Sequence, residues 1–437
     1  MDQKPVIVPE AKQAGEAPEK WTWVEPSVWT GRMLEALDKG VKGGKWFSLI
    51  DKVHRRRTLD AAFARVAAND GAAGVDRQTI KGFERLLSRN LEKLSCEIQS
   101  GSYQPQSVRR VWIDKLGSKE KRPLGIPTVR DRVAQTALRS VIEPIFEKDF
   151  AEQSFGFRPD RGCKDALRRV DALLKLGFRY VVDADLKSYF DTIPHEPLMT
   201  LVEKKISDGR VLALLRAYLQ QGVFDDGVEW TPERGSPQGA AISPLLSNIY
   251  LDPLDHLMAD ANYQMVRYAD DFVILCRTRE EAEAALEKAQ EWTLQAQLTL
   301  HPEKTRIVDA VTEGFVFLGY EFRGGYRFVR QKSIAKIKET IRGKTKRCHG
   351  HSLERIIEEV NRSLRGWFEY YKHAHRTTFR PLDAWIRMRL RSILRKRQNR
   401  KGRGRGADHQ RWPNAYFAEH GLTSLVAAHA AACQASH

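Results

Sequence analysis

Cysteine is scarce: the 437-residue chain has five, Cys96, Cys163, Cys276, Cys348 and Cys433, scattered, odd in number and without a Cys-x-x-Cys pair. That spacing argues against a disulfide framework and fits a reducing compartment. No apolar stretch approaches the length needed to cross a bilayer, and the start, Met1-Asp2-Gln3-Lys4-Pro5, lacks the charged and apolar regions of a secretory signal. A cytoplasmic location and no membrane partner are expected. No Gly-x-Gly-x-x-Gly follows a strand-like run, so a dinucleotide fold is not implied. The cluster Cys348-His349-Gly350-His351 lacks the four well-spaced ligands of a structural zinc site and reads as a polar loop between helices. Acids are outnumbered, with 73 Lys and Arg against 56 Asp and Glu, a net charge of +17 and a pI near 9.6. A surface field of that sign attracts polyanions, and nucleic acid is the economical partner.

What is present centres on carboxylates. Met265-Val266-Arg267 and the apolar run Phe272-Val273-Ile274-Leu275-Cys276 flank the turn Tyr268-Ala269-Asp270-Asp271. Two β-rich segments around a polar turn read as a hairpin with both acids at its tip. Upstream, Arg179-Tyr180-Val181-Val182-Asp183-Ala184-Asp185-Leu186 is strand-like and carries acids at alternate positions. Alternation puts Asp183 and Asp185 on one face, with Asp185 nearest the strand end. Clustered carboxylates raise one another's pKa values unless a cation supplies compensating charge. Oxygen-only ligands favour magnesium, and two such ions can activate a terminal hydroxyl and stabilise a leaving pyrophosphate. Taken without its neighbours, an Asp-Asp turn is more often a solvated loop.

The neighbours form an ordered series. Lys121-Arg122-Pro123-Leu124-Gly125-Ile126-Pro127, Ser154-Phe155-Gly156-Phe157-Arg158-Pro159, Asp185-Leu186-Lys187-Ser188-Tyr189-Phe190-Asp191 and Gly235-Ser236-Pro237-Gln238-Gly239 precede the acidic turn. His301-Pro302-Glu303-Lys304-Thr305 and Phe317-Leu318-Gly319-Tyr320 follow it. This series resembles the successive finger and palm blocks of the reverse transcriptases encoded by group II introns. The resemblance extends from about Trp21 to about Leu425, including Asn414-Ala415-Tyr416-Phe417-Ala418-Glu419-His420-Gly421-Leu422, which looks like the family's usual ending.

The resemblance implies an α+β right-hand polymerase: fingers, a palm with an antiparallel sheet packed on helices, and an α-helical thumb or maturase (X) domain. It implies an RNA-directed DNA polymerase that also binds its intron RNA, assisting splicing and retromobility as a cytoplasmic ribonucleoprotein. Two Mg2+ ions, with Mn2+ as a substitute, would be held by Asp185, Asp270 and Asp271. Asp185 and Asp270 would bridge both ions, and Asp183 and Asp191 are the bland alternatives. Lys115 and Arg122, with Lys119 and Lys121 close by, are expected to reach the incoming triphosphate, where cations offset charge building on the leaving phosphates. Phe190 is expected to act as a steric gate against the 2′-hydroxyl, the group that separates RNA from DNA nucleotides. Its other reading is an ordinary core aromatic. Gln238 is expected near the nascent base pair, Lys304 near the nucleotide, Leu318 and Gly319 at the primer end, and Arg158 on the template. The partners are then dNTPs, an RNA template with a DNA primer, the intron RNA and a DNA target, with the oligomeric state left open. The paired cysteines of the family's endonuclease are missing, so none is expected, and priming would come from a nascent strand at a replication fork or from a cut made otherwise.

At this length two or three units are expected. Residues 1–20, rich in Pro, Glu, Lys and Ala without periodicity, read as a disordered leader. Residues 21–175 hold an amino-terminal extension, with Pro26-Ser27-Val28-Trp29-Thr30 and the basic Lys52-Val53-His54-Arg55-Arg56-Arg57, and the fingers, opened by Gly71-Ala72-Ala73-Gly74-Val75-Asp76. Ala134, Ala137, Leu138, Val141 and Ile145 recur at helical spacing, and Pro144 is expected to kink or end that helix. The palm spans 176–325 and includes a helix over Glu281–Leu298 with the apolar stripe Ala282, Ala285, Leu286, Ala289 and Trp292. Beyond Gly325 the pattern turns wholly helical, as Leu353, Ile356, Ile357, Val360, Leu364, Trp367, Phe368 and Tyr371 show, giving a thumb over 326–395. Residues 396–437 read as a basic nucleic-acid-binding segment and tail. The block Arg387–Arg411 carries eleven Lys or Arg and one acid, Asp408, and its Lys401–Gly406 core is too glycine-rich for a firm helix. Phosphate binding with strong salt dependence fits it, as does a solubilising linker.

Two other readings remain: a domesticated reverse transcriptase in host defence or repair, and a splicing factor with an idle polymerase site. The intact set Asp185, Asp270, Asp271, Phe190 and Gln238 counts against the second, because a dead site has no physical reason to keep it together.

Overall fold

The computed structural model of the chain describes residues 19–41, 43–114, 121–348, 350–402, 404 and 406–434. Lys115, Lys119, Arg403, Arg405 and nearly all of the expected leader lie outside the described residues. Among the helices that precede the hairpin of β1 (Val108–Asp114) and β2 (Lys121–Ile126) are α1 (Arg56–Ala68) and α2 (Leu87–Ser100). Next comes α3 (Val129–Glu147), capped by Thr128, whose hydroxyl accepts the Asp131 N–H at 3.1 Å. Pro144 lies inside the last turn of α3, and the helix runs past it to Glu147. Proline lacks the N–H that would bond the Ser140 carbonyl. That carbonyl instead accepts the Trp29 indole N–H at 3.0 Å, so the missing bond is replaced from the amino-terminal extension.

The palm follows with α4 (Cys163–Lys175), β3 (Tyr180–Asp185) and α5 (Ser243–Asp260), and between β3 and α5 the chain returns to the fingers sheet with the hairpin of β4 (Val223–Asp225) and β5 (Val228–Trp230). Then come β6 (Gln264–Tyr268), β7 (Asp271–Cys276), α6 (Arg279–Gln295) and β8 (Arg306–Asp309). The palm sheet has the order β6-β7-β3-β8 and is antiparallel throughout. Strand alternation divides its side chains between two cores. Val182, Ala184, Met265, Phe272 and Ile274 enter the core shared with the fingers, while Val181, Val266, Val273, Leu275 and Val308 enter the core shared with the thumb. By the same alternation Asp183, Asp185 and Asp271 stand on the thumb-side face. The fingers sheet, β2-β1-β4-β5, is mixed, with β1 parallel to β4.

At the joint of palm and thumb, β9 (Phe315–Phe317), β10 (Tyr320–Arg323) and β11 (Tyr326–Val329) form a third, antiparallel sheet. The last strand corrects the expectation of a wholly helical chain beyond Gly325. Tyr326–Val329 is held by backbone bonds to β10, which apolar periodicity does not report. The thumb begins with α7 (Gln331–Lys344) and continues through α8 (Leu353–Tyr371), α9 (Phe379–Arg397) and α10 (Leu425–Gln434).

The boundary expected between 395 and 396 falls inside α9, and the stretch beyond it is built into the thumb. Trp412, Phe417 and Leu425 are buried in the thumb core. Arg391 donates to the Trp412 carbonyl and to Asn414 Oδ1, both at 2.9 Å, and Arg395 pairs with the buried Asp408 at 2.7 Å. Part of the basic block therefore holds the fold together. The whole is the expected α+β right hand of fingers, palm and helical thumb. No helix among the described residues is long and apolar enough to cross a membrane.

Candidate active site

Strand β3 ends at Asp185, β7 begins at Asp271, and their antiparallel register sets these two residues opposite each other. Tyr268 pairs with Asp271 across β6 and β7, so the hairpin closes through the two residues Ala269 and Asp270. Asp270 thus sits at the tip beside Asp271, as the sequence implies. Ala269 has φ +60°, at a turn position that favours glycine. A non-glycine residue held there stores backbone strain, and such strain concentrates at functional turns.

The four acids are only partly compensated by nearby cations. Burial pushes the Asp271 carboxyl up to about 7, and Asp183, Asp185 and Asp270 add to the rise. Burial also pushes Asp183 up to about 6, partly offset by Arg306, 3.6 Å from its carboxylate. Asp270 is raised by burial and by Asp185. On the open side, Lys304 sets its ammonium against the Asp185 carboxylate. The His301 N–H donates to the Asp185 carbonyl at 2.7 Å, fastening the Lys304 turn to the end of β3. A half-buried, oxygen-only donor set with surplus negative charge suits a hard divalent cation, and Asp185, Asp270 and Asp271 are the residues that would hold it. Among the described residues no three His, Cys, Asp or Glu side chains are grouped closely enough to hold one ion as they stand. The donor chemistry fits; a closed cage is not preformed.

Phe190 and Gln238, which the resemblance assigns to the nucleotide site, meet around one loop. Phe190, 8% exposed, lies in the single turn Tyr189–Thr192 and meets Tyr189 and Phe157 edge to face, at ring-centre distances of 5.6 and 6.2 Å. Its carbonyl accepts the Ser236 N–H at 2.7 Å, while the Gln238 carbonyl accepts the Gly125 N–H at 2.7 Å. The segment from Ser236 to Gln238 therefore ties β2 of the fingers to the turn that carries Phe190. A Cβ at Gly239 would lie 2.5 Å from the Gly125 carbonyl oxygen, which explains the glycine. Arg122 is exposed on β2. Leu318 and Gly319 close β9 to β10 with φ +47° and +83°, the pair of positive values a type I′ turn needs. The Leu318 carbonyl accepts the Tyr370 hydroxyl at 2.8 Å, so α8 of the thumb steadies this turn.

Arg158 corrects an expectation. It is 7% exposed; its guanidinium donates to Glu147 at 2.9 Å and to the carbonyls of Ala151 and Ser154 at 2.6 and 2.9 Å. A buried guanidinium whose donors serve the loop after α3 does not contact a template. Conversely, the sequence reading gave no role to Arg267, Asn248 and Asp255, which are buried directly behind the acidic turn. A signal was present: Arg267 alternates with Val266 and Tyr268 on a strand, on the same face as the core residue Met265.

Residues 113–322 match the family described as reverse transcriptase (RNA-dependent DNA polymerase), and residues 334–412 match the group II intron, maturase-specific domain. The chain is similar to protein YkfC of Escherichia coli (strain K12), 33% identical over 354 residues that cover 72% of this chain and 87% of YkfC. It is 38% identical over 196 residues to the group II intron-encoded protein LtrA of Lactococcus lactis subsp. cremoris, covering 44% of this chain and 32% of LtrA. It is 28% identical over 232 residues to nuclear intron maturase 4, mitochondrial, of Arabidopsis thaliana, covering 52% of this chain and 28% of that protein. Among solved structures, a telomerase from Candida albicans covers 79% of this chain and 69% of its own at 13% identity and a TM-score of 0.42, too distant to bear on the site. The polymerase match falls on the sheets that carry Asp185, Asp270 and Asp271 and the maturase match on the helical thumb, so the chain belongs to the family of group II intron-encoded reverse transcriptases with a maturase domain.

Proposed function

We propose that this chain, a reverse transcriptase with a maturase-specific domain, extends a DNA primer on an RNA template at the cleft marked by Asp185, Asp270 and Asp271, and binds its own intron RNA to assist splicing and mobility. The observation that carries the reading is the register that sets Asp185 opposite Asp271 beside the strained Ala269-Asp270 turn. Bound to these carboxylates, two divalent cations, magnesium by preference and manganese as a substitute, would supply activation of the primer 3′-hydroxyl and charge neutralisation on the leaving pyrophosphate.

The chain's own residues do the rest. Phe190, stapled to the loop at Ser236, walls the sugar site and excludes a 2′-hydroxyl. Gln238 lies where that loop meets the fingers and orients the nascent base pair. Lys304 and the exposed Arg122, with Lys115, receive the triphosphate, since charge-assisted contacts favour cations there. Leu318 and Gly319, braced by Tyr370, steady the primer end. Exposed cations of the thumb and of the Arg387–Arg411 block bind RNA phosphates, and the protein acts as a cytoplasmic ribonucleoprotein on a DNA target.

Primer extension on an RNA template with dNTPs and magnesium tests the reading. Synthesis by the wild type that is lost on substituting Asp270 and Asp271 supports it. RNA binding without synthesis would instead make the chain a splicing factor with an idle site.

A further inference from the structure

Arg267 is wholly buried on β6, out of reach of any substrate. Its guanidinium grips Asp255 of α5 with two donors, Nε standing 2.7 Å from Oδ1. The remaining nitrogen, Nη1, donates to the Asn248 side-chain oxygen at 3.0 Å and to the Ala269 carbonyl at 2.8 Å, inside the acidic turn. The Asn248 amide in turn donates to the Gly156 carbonyl at 2.9 Å. Gly156 lies against the other side of the turn, where a Cβ would come within 2.2 Å of the Ala269 nitrogen. The main chain repeats the link, because the Phe155 N–H donates to the Arg267 carbonyl at 2.9 Å and the Arg267 N–H to the Gln153 carbonyl at 3.0 Å.

A buried ion pair is a poor device for stability, since apolar packing of the same volume usually serves as well or better. What an ion pair adds is fixed geometry. Here the fixed object is the Ala269 carbonyl, and it belongs to a residue held at the left-handed φ of +60° that an alanine otherwise avoids.

We propose that Arg267, anchored by Asp255 and Asn248, is a positioning residue for polymerisation: it holds the Ala269 carbonyl inward and so aims the Asp270 carboxylate into the cleft. The inference rests on the polymerase reading. Without the guanidinium, the turn relaxes away from the left-handed conformation and Asp270 swings with it. Displacement of a reacting group by about 1 Å can cost on the order of 100-fold in rate.

Single-nucleotide extension by the full-length protein on an RNA template with a DNA primer tests this with Arg267→Lys, which keeps the charge and loses the fork. The expected result is a kcat lowered roughly 10- to 100-fold, with the KM for dNTP and the primer–template affinity within about twofold of wild type. Adding Ala269→Gly, which removes the cost of positive φ, is expected to restore part of that kcat. An unchanged kcat per folded molecule, or a loss that Ala269→Gly leaves untouched while primer–template affinity falls in parallel, would overturn the proposal. If Arg267→Lys fails to fold, Asn248→Ala, which removes one neutral partner of the guanidinium, carries the same expectation of a kcat-selective loss, and an unchanged kcat there overturns it. A wild type with no extension at all would overturn the polymerase reading, and this inference with it.

Discussion

Lys304 sets its ammonium directly on the carboxylate of Asp185, the acid that ends β3, while Asp271 faces the same residue from β7. The cation belongs to a turn whose first residue, His301, is bonded to the Asp185 main chain, so the two move together. Under the proposed function, a triphosphate entering the cleft would bring negative charge to the same ammonium.

Lys304→Met should therefore weaken nucleotide use more than RNA binding. A rise of about tenfold in the KM for dNTP, ~1.4 kcal/mol, is expected, with RNA affinity nearly unchanged because many phosphate contacts share it. Steady-state extension beside a filter-binding titration checks this. A KM at the wild-type value would remove Lys304 from the nucleotide site.

Phe190→Val should admit ribonucleotides. The ring packs edge to face on Tyr189 and Phe157 while the Ser236 N–H holds the Phe190 main chain, so the smaller side chain opens space at a fixed backbone position. Competition between dNTP and rNTP in primer extension measures the effect, and unchanged discrimination would make Phe190 an ordinary core aromatic.

Arg158→Ala should act on the fold and not on the template. It strands Glu147, whose carboxyl is already raised by burial, and removing one member of a buried pair costs about 3–5 kcal/mol. Thermal or denaturant unfolding should show that loss. Wild-type stability with weakened template binding would return Arg158 to the template.

Gly156→Ala should strike the acidic turn from the outside. A methyl group 2.2 Å from the Ala269 nitrogen forces the backbone to shift, and overpacking of this kind costs about 1–3 kcal/mol. A lower melting temperature together with a drop in kcat is expected. Normal kinetics would mean that the turn tolerates movement.

The palm was legible because its information is local. Alternation alone placed Asp183 and Asp185 on one face, and a polar turn between apolar runs marked the hairpin that carries Asp270. The apolar stripe of Ala282, Ala285 and Ala289 is buried as its spacing implied. What stayed hidden depends on distant partners. The Ser140 carbonyl freed by Pro144 is met by Trp29, far away in sequence, so the helix does not end at the proline. Tyr326–Val329 is a strand only because β10 lies beside it. Arg158 and Arg391 look like phosphate contacts in a basic chain, yet each closes a buried network with main-chain carbonyls. Arg267 sits beside the most conspicuous motif in the chain, and its role emerges once α5 brings Asn248 and Asp255 behind the turn.

Magnesium-dependent primer extension on an RNA template, comparing the wild type with the Asp270→Asn, Asp271→Asn double substitution, tests the central claim most directly. The expected result is synthesis by the wild type alone, with RNA affinity and melting temperature of the double variant close to wild type. Equal synthesis by both proteins, or loss of folding and RNA binding together with synthesis, would contradict the assignment of these carboxylates to the catalytic centre.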